Sequence, residues 1–174
     1  MQEVKLTSAY GKKLLLFRNV FAFCAVILMF VIFKFSSQNG SSSSKTSGEF
    51  IYKLSEFFIG NFSYEKKLAL INSLQFFVRK SAHFFVYFVL GVFVFGFFST
   101  YSFKTKISVA VSFIVCLLYS VSDEIHQLLV FERSGEFRDV LIDTSGSVFG
   151  IMIFYLILSK ILRRKCFGQE KNFC

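Results

Sequence analysis

SVSDEIHQLLVFERSGEFRDVLIDTSGSVFG, residues 120–150, lies between two of the most apolar runs of the chain. It carries six of the eleven acidic residues, one of the two histidines and two arginines. Four of its carboxylates, Asp123, Glu124, Asp139 and Asp143, fall inside or against those apolar runs. A charged side chain at the centre of a membrane helix costs roughly 2.5–3.5 kcal/mol on insertion scales. Four such groups near helix ends therefore call for compensation, structural or functional.

The rest of the chain explains why the runs are membrane helices. Hydrophobic residues make up 54% of 174 positions, 27 of them Phe, and there is no Pro or Trp. Mean hydropathy is +0.58, outside the range of an ordinary soluble globule. A helix needs about 20 apolar residues to cross a ~30 Å hydrocarbon core, and four stretches meet that length, at about 15–35, 82–100, 107–129 and 140–162. The expected fold is one all-α integral membrane domain over 1–174. The first apolar run is long and no A-x-A-like site follows, which favours an uncleaved helix over a signal peptide. The Gly/Ser-rich segment at about 36–48 reads as a flexible linker. Phe50, Ile51, Leu54, Phe57 and Phe58, and then Leu68, Ile71, Leu74 and Phe77, recur at helical spacing. They predict one or two amphipathic helices lying at the membrane surface in the first outer loop. Cys24, Cys116, Cys166 and Cys174 show neither a CxxC nor a metal-ligand spacing and read as unpaired thiols.

The net charge of +9 would suggest nucleic acid in a soluble protein. Here the basic residues gather at helix ends. Residues 1–18, the 101–106 loop and the tail from Lys160 hold 11 Lys+Arg against Glu3 and Glu170. The positive-inside rule then places both termini in the cytoplasm and gathers the acidic stretch at the outer leaflet. No nucleic-acid partner is expected; membrane lipids are.

Two helical faces carry the remaining signals. Lys80, His83, Tyr87 and Gly91 stand at i, i+3, i+7 and i+11 and share one face of the second span. Asp123 and Gln127 are one turn apart at the end of the third, beside Glu124. Asp139 and Asp143 open the fourth, where the helix dipole favours them; it opposes Asp123 and Glu124. Arg133 and Arg138, in or next to the short loop between, are the simplest charge partners. Gly146-x-x-x-Gly150 makes a small-residue face suited to close packing, within the chain or against a second copy.

Taken together these residues resemble the VanZ-like family of bacterial membrane proteins. The resemblance runs over the whole chain: Ser36-Ser37-Gln38, then Lys80-x-x-His83-x-x-x-Tyr87-x-x-x-Gly91, then Asp123-Glu124-x-x-Gln127, an Arg, and Asp139-x-x-x-Asp143-x-x-Gly146-x-x-x-Gly150. Two positions depart from the family's pattern. Phe131-Glu132 precedes Arg133 where Pro-Gly is common, and Asp143 stands where Asn is common. The family's named member is associated with low-level resistance to teicoplanin, a lipoglycopeptide that acts on cell-wall precursors. The resemblance thus implies a multi-pass membrane protein linked to the cell envelope.

Three functional readings follow. In the first, the outer cluster of Lys80, His83, Tyr87, Asp123, Glu124, Gln127, Arg133, Arg138, Asp139 and Asp143 binds an envelope lipid, a lipid-linked wall precursor or a lipoglycopeptide. The cations Lys80, Arg133 and Arg138 would hold a phosphate. In the second, the protein is a membrane-embedded enzyme acting on a lipid-linked substrate, with His83 as base and Asp123 or Glu124 as acid. A divalent ion held by Asp, Glu and His would be a variant of that reading. No P-loop, HExxH or nucleophile motif is present, and linear spacing points to no metal site or cofactor. In the third, the carboxylates and cations form a purely structural network that sets helix register.

Overall fold

With no proline anywhere, nothing in the chain removes a backbone donor from a helix interior. The helices are correspondingly long. The computed structural model describes residues 2–59, 64–101, 103–131 and 135–170. It is all-helical there: α1 Gln2–Ser36, α2 Gly40–Ile59, α3 Tyr64–Ser99, α4 Thr105–Leu128 and α5 Phe137–Glu170. Four stretches are long and apolar enough to cross a membrane: Gly11–Ser36, Ile71–Ser99, Thr105–Leu128 and Phe137–Ile161.

Two expectations about the first loop are corrected. The segment at 36–48 is not a free linker, because Gly40–Gly48 forms the first turns of α2. Serine lowers helix propensity by only tenths of a kcal/mol per residue, and packing offsets that cost. Ile51 is buried, Gly48 lies close to Ile71 of α3, and the Gly40 amide reaches the Phe131 carbonyl at 3.4 Å. The second amphipathic stretch is not a separate surface helix either. Tyr64–Val78 runs straight into the second span as one 36-residue helix. At 1.5 Å per residue α3 is about 54 Å long, so one end projects well beyond a ~30 Å core. No Gly or Pro breaks the helix at Arg79-Lys80-Ser81, and both basic residues are good helix formers.

The bundle is organised around α3, which packs against each of the other four helices. Its tightest partner is α5, and glycine is the reason. A Cβ added at Gly91 would strike the backbone of Ser147; one added at Gly146 or Gly150 would strike the carbonyls of Phe84 or Phe88. The α3 and α5 backbones therefore touch along two helical turns, in the manner of small-residue membrane interfaces. On the other side of α3, α1 lays Phe21 over Gly96 and brings Phe21 into ring contact with Phe93 and Phe154.

Polarity is inverted relative to a soluble protein. Phe23, Phe30, Phe85 and Leu118 point outward, while Ser36, Ser112, Ser120 and Ser147 are fully buried. Along α4 a file of small residues, Ser108, Ser112, Cys116 and Ser120, recurs every fourth position and faces inward. These hydroxyls are satisfied locally: Ser112 donates to the Ser108 carbonyl, Ser120 to that of Leu117, and Ser120 and Thr144 meet at 3.1 Å. The described cysteines Cys24 and Cys116 are free thiols; Cys166 and Cys174 lie outside the residues whose side chains are described. Tyr119 donates to the Met29 carbonyl at 2.5 Å and ties α4 to α1. Tyr119→Phe is expected to lower stability by about 1 kcal/mol, measured by thermal unfolding in detergent micelles.

Candidate functional site

One end of the bundle gathers the C-terminal ends of α1 and α4, the polar entry to the α3 span and the N-terminus of α5. An up-and-down arrangement of four spans puts these ends together whatever the bundle's orientation. Each carboxylate there has found a different solution to desolvation.

Nearest the loop, the two carboxylates flanking the α4–α5 connection use opposite devices. Glu124 sits at the C-terminal end of α4, where the dipole is unfavourable. It escapes that field by reaching across to α5: its Oε1 accepts from the Glu136 backbone amide at 2.5 Å. That amide is an orphan donor at a helix start, so both groups gain. Asp139, in the first turn of α5, pairs directly with Lys80 of α3, and both are largely buried. Lys80 also stands over the Phe76 ring, one turn earlier on its helix.

Deeper in the bundle, Asp143 is 1% exposed, and its Oδ1 faces His83 Nδ1 at 3.6 Å. Asp123 is 3% exposed. Its Oδ2 accepts from Ser36 Oγ at 2.9 Å and from Gln127 Nε2 at 3.1 Å. Tyr87, fully buried on the same face of α3, lies within electrostatic range of both Asp123 and Asp143. At the rim, Ser37 Oγ meets His126 Nε2 at 2.9 Å, and the His126 ring stacks on Phe33 with centroids 4.4 Å apart.

Four buried polar atoms in this region have no hydrogen-bond partner: Tyr87 Oη, Asp123 Oδ1, Glu124 Oε2 and Asp143 Oδ1. Buried polar groups are paired in the great majority of cases, so this end of the bundle is the candidate site. Ligand atoms of His83, Asp123 and Asp143 all lie within 4.8 Å of one another. Three helices supply them, which is why linear spacing carries no trace of the set.

A cavity of about 370 Å³ opens beside this cluster between α1, α2 and α3. Its walls are mainly apolar, from Ile32, Phe35, Phe50, Val78 and Val86. Gln38, Thr46, Ser47, Arg79, His83 and Tyr87 add polar groups, so two residues of the cluster also line the cavity.

The structure thus brings together Lys80, His83, Tyr87, Asp123, Glu124, Gln127, Asp139 and Asp143, while Gly91, Gly146 and Gly150 set the helix separation beneath them. Arg138 does not join. It is 81% exposed and among the described residues its one ion pair is with Glu136, at 3.8 Å, because it lies on the outward side of the first turn of α5. Arg133 lies outside the described residues. Sequence reasoning quoted Ser36 in the Ser36-Ser37-Gln38 motif but gave it no site role, although it holds Asp123, and passed over Arg79, which lines the cavity. The motif and Asp123's need for a donor from a helix ending at the same level were the signals for Ser36; Arg79 carried none, since a basic residue next to Lys80 reads as ordinary.

No curated protein and no solved structure matches the chain. A family model does, over residues 21–158, a range that takes in the polar cluster, the cavity and the glycine seam. With four long apolar helices and that match, the chain is a multi-pass membrane protein that belongs to the VanZ/LLP1 family.

Proposed function

We propose that the protein binds an anionic envelope lipid or lipid-linked wall precursor in the cavity between α1, α2 and α3. The observation that carries this reading is the cavity's make-up: mainly apolar wall surface of a size for part of a lipid tail, with Arg79 as the cation among its polar lining residues. Small-molecule sites have this pattern, a mostly apolar enclosure with a few placed polar groups. A guanidinium is the side chain best matched to a phosphate. Arg79 takes the phosphate-binding role expected of Lys80 and Arg138, since Lys80 is committed to Asp139 and Arg138 points away; Arg133 lies outside the described residues. With both termini cytoplasmic, the cavity faces the outer leaflet, where shielding a lipid-linked precursor would lower sensitivity to lipoglycopeptides.

The test is binding of a polyprenyl phosphate and of phosphatidylglycerol to the full chain in nanodiscs. Saturable binding is expected, weakened about tenfold or more in Arg79→Ala, as loss of a charge-assisted hydrogen bond implies. Equal binding by the variant would sink the reading. A host expressing the protein should tolerate lipid-tailed glycopeptides better than non-lipidated ones, and Arg79→Ala should remove the difference at matched membrane levels.

A second reading, acid–base chemistry on the same lipid, is favoured by one observation: His83 lines the cavity and is backed by the buried carboxylate of Asp143. A carboxylate behind an imidazole fixes its orientation and tautomer. Turnover of the labelled lipid, lost in His83→Gln while binding persists, is the result this reading requires.

A further inference from the structure

We propose that His83, Asp123 and Asp143 form a site for one divalent transition-metal ion of the manganese or zinc class, with Tyr87 completing its surroundings. The proposal stands independently of the lipid reading. Its first support is convergence. The three ligand atoms, one each from α3, α4 and α5, lie within 4.8 Å of one another. Ligands bound at 2.0–2.2 Å stand at most about 4.4 Å apart across an ion, so small side-chain rotations bring all three into range.

The second support is the free valence on each oxygen donor. Asp123 Oδ2 is held by Ser36 and Gln127, while its Oδ1 is buried and unpartnered. This is the arrangement of a metal-binding carboxylate: one oxygen fixed by outer donors, the other left for the ion. Asp143 Oδ1, likewise buried, faces only the proposed third ligand, His83 Nδ1, at 3.6 Å among the described residues. Tyr87 is the independent sign. Its hydroxyl is fully buried, unpartnered and within electrostatic range of both aspartates. A water on the ion would give that hydroxyl a partner.

Charge and rigidity agree. Among the described residues, Lys80 pairs with Asp139 and the imidazole of His83 faces Asp143, while no Lys or Arg forms an ion pair with Asp123 or Asp143. Two carboxylates neutralise a divalent ion, and an imidazole favours a transition metal over magnesium or calcium. The contacts of Gly146 with Phe84 and of Gly91 with Ser147 clamp α3 to α5 within two turns of His83 and Asp143. The distance between those two ligands is therefore set by backbone contact. The cavity lined by His83 and Tyr87 supplies a path for the ion.

The experiment uses the full chain in detergent micelles, stripped with chelator and dialysed against Mn²⁺ or Zn²⁺ alone. About one ion per chain is expected, with a rise in thermal unfolding temperature. Asp123→Asn and His83→Gln should each weaken the apparent affinity at least tenfold. Pulsed electron paramagnetic resonance of the Mn²⁺-loaded wild type should detect coupling to one imidazole nitrogen, a readout that does not depend on any variant folding. Uptake well below one ion per chain, equal uptake by the variants, or bound Mn²⁺ without nitrogen coupling would each overturn the proposal. Equal stabilisation by Mg²⁺ or Ca²⁺ would overturn its assignment to the transition metals.

Discussion

Gly150→Ala is expected to destabilise the protein by about 3 kcal/mol, the upper part of the range for overpacking a tight interface. Helix propensity alone argues the other way, since alanine gains roughly 1 kcal/mol over glycine in a helix interior. The neighbour decides the sign. The new methyl would meet the Phe88 carbonyl and the Val92 amide, both backbone atoms of α3. A side chain could rotate aside; a helix backbone cannot, so α3 and α5 must separate. Gly11→Ala is the matched control, because a Cβ there meets nothing within 4 Å. It should be neutral or slightly stabilising. Unfolding of both variants by denaturing detergent in mixed micelles, followed by circular dichroism, measures the contrast. Equal stability of the two would mean that the glycine seam is not what holds α3 to α5.

Lys80→Met should cost about 3 kcal/mol for a different reason. Lys80 and Asp139 are only 14% and 15% exposed, so removing the cation leaves a largely desolvated carboxylate. Breaking one side of a buried pair costs far more than the pair contributes net. The double replacement Lys80→Met/Asp139→Leu should therefore recover most of the loss. Their interaction in a double-mutant cycle should exceed 1 kcal/mol, well above that of exposed pairs. Glu124 lies within electrostatic range of Lys80 as well, but the Glu136 amide holds it independently. Additive single costs would show that Asp139 relies on some other partner.

How much of this was legible in the sequence depended on whether a feature was local. The four spans were, because length and hydropathy are local properties, and the stripe Lys80, His83, Tyr87, Gly91 was, because helical periodicity is. The start of α2 was not. Its Ser-rich residues resemble a linker, and only contact with α3 makes them a helix. The unity of α3 was hidden by the polar break at Arg79-Lys80-Ser81, which interrupts the apolar pattern without ending the helix. At the site, the four carboxylates announced a need for compensation. Which group meets it was set by which helices end at the same level. Ser36 for Asp123 and the Glu136 amide for Glu124 are contacts across 87 and 12 residues. Arg138 was misjudged because nearness along the chain says little about which way a helix turns its first residues.

The glycine seam also bears on how the protein comes to be assembled. α3 and α5 are the most tightly joined helices, yet the whole of α4 lies between them in the chain. Synthesis proceeds from the N-terminus, so α3 enters the bilayer before its main partner exists. Until α5 arrives, Lys80, His83 and Gly91 lack Asp139, Asp143 and Ser147. The interval between release of α3 and arrival of α5 is the stage at which an insertion chaperone, or early contact with α1, must shelter that face. A chain halted before residue 137 would keep three of its four spans and lose the helix that locks them together.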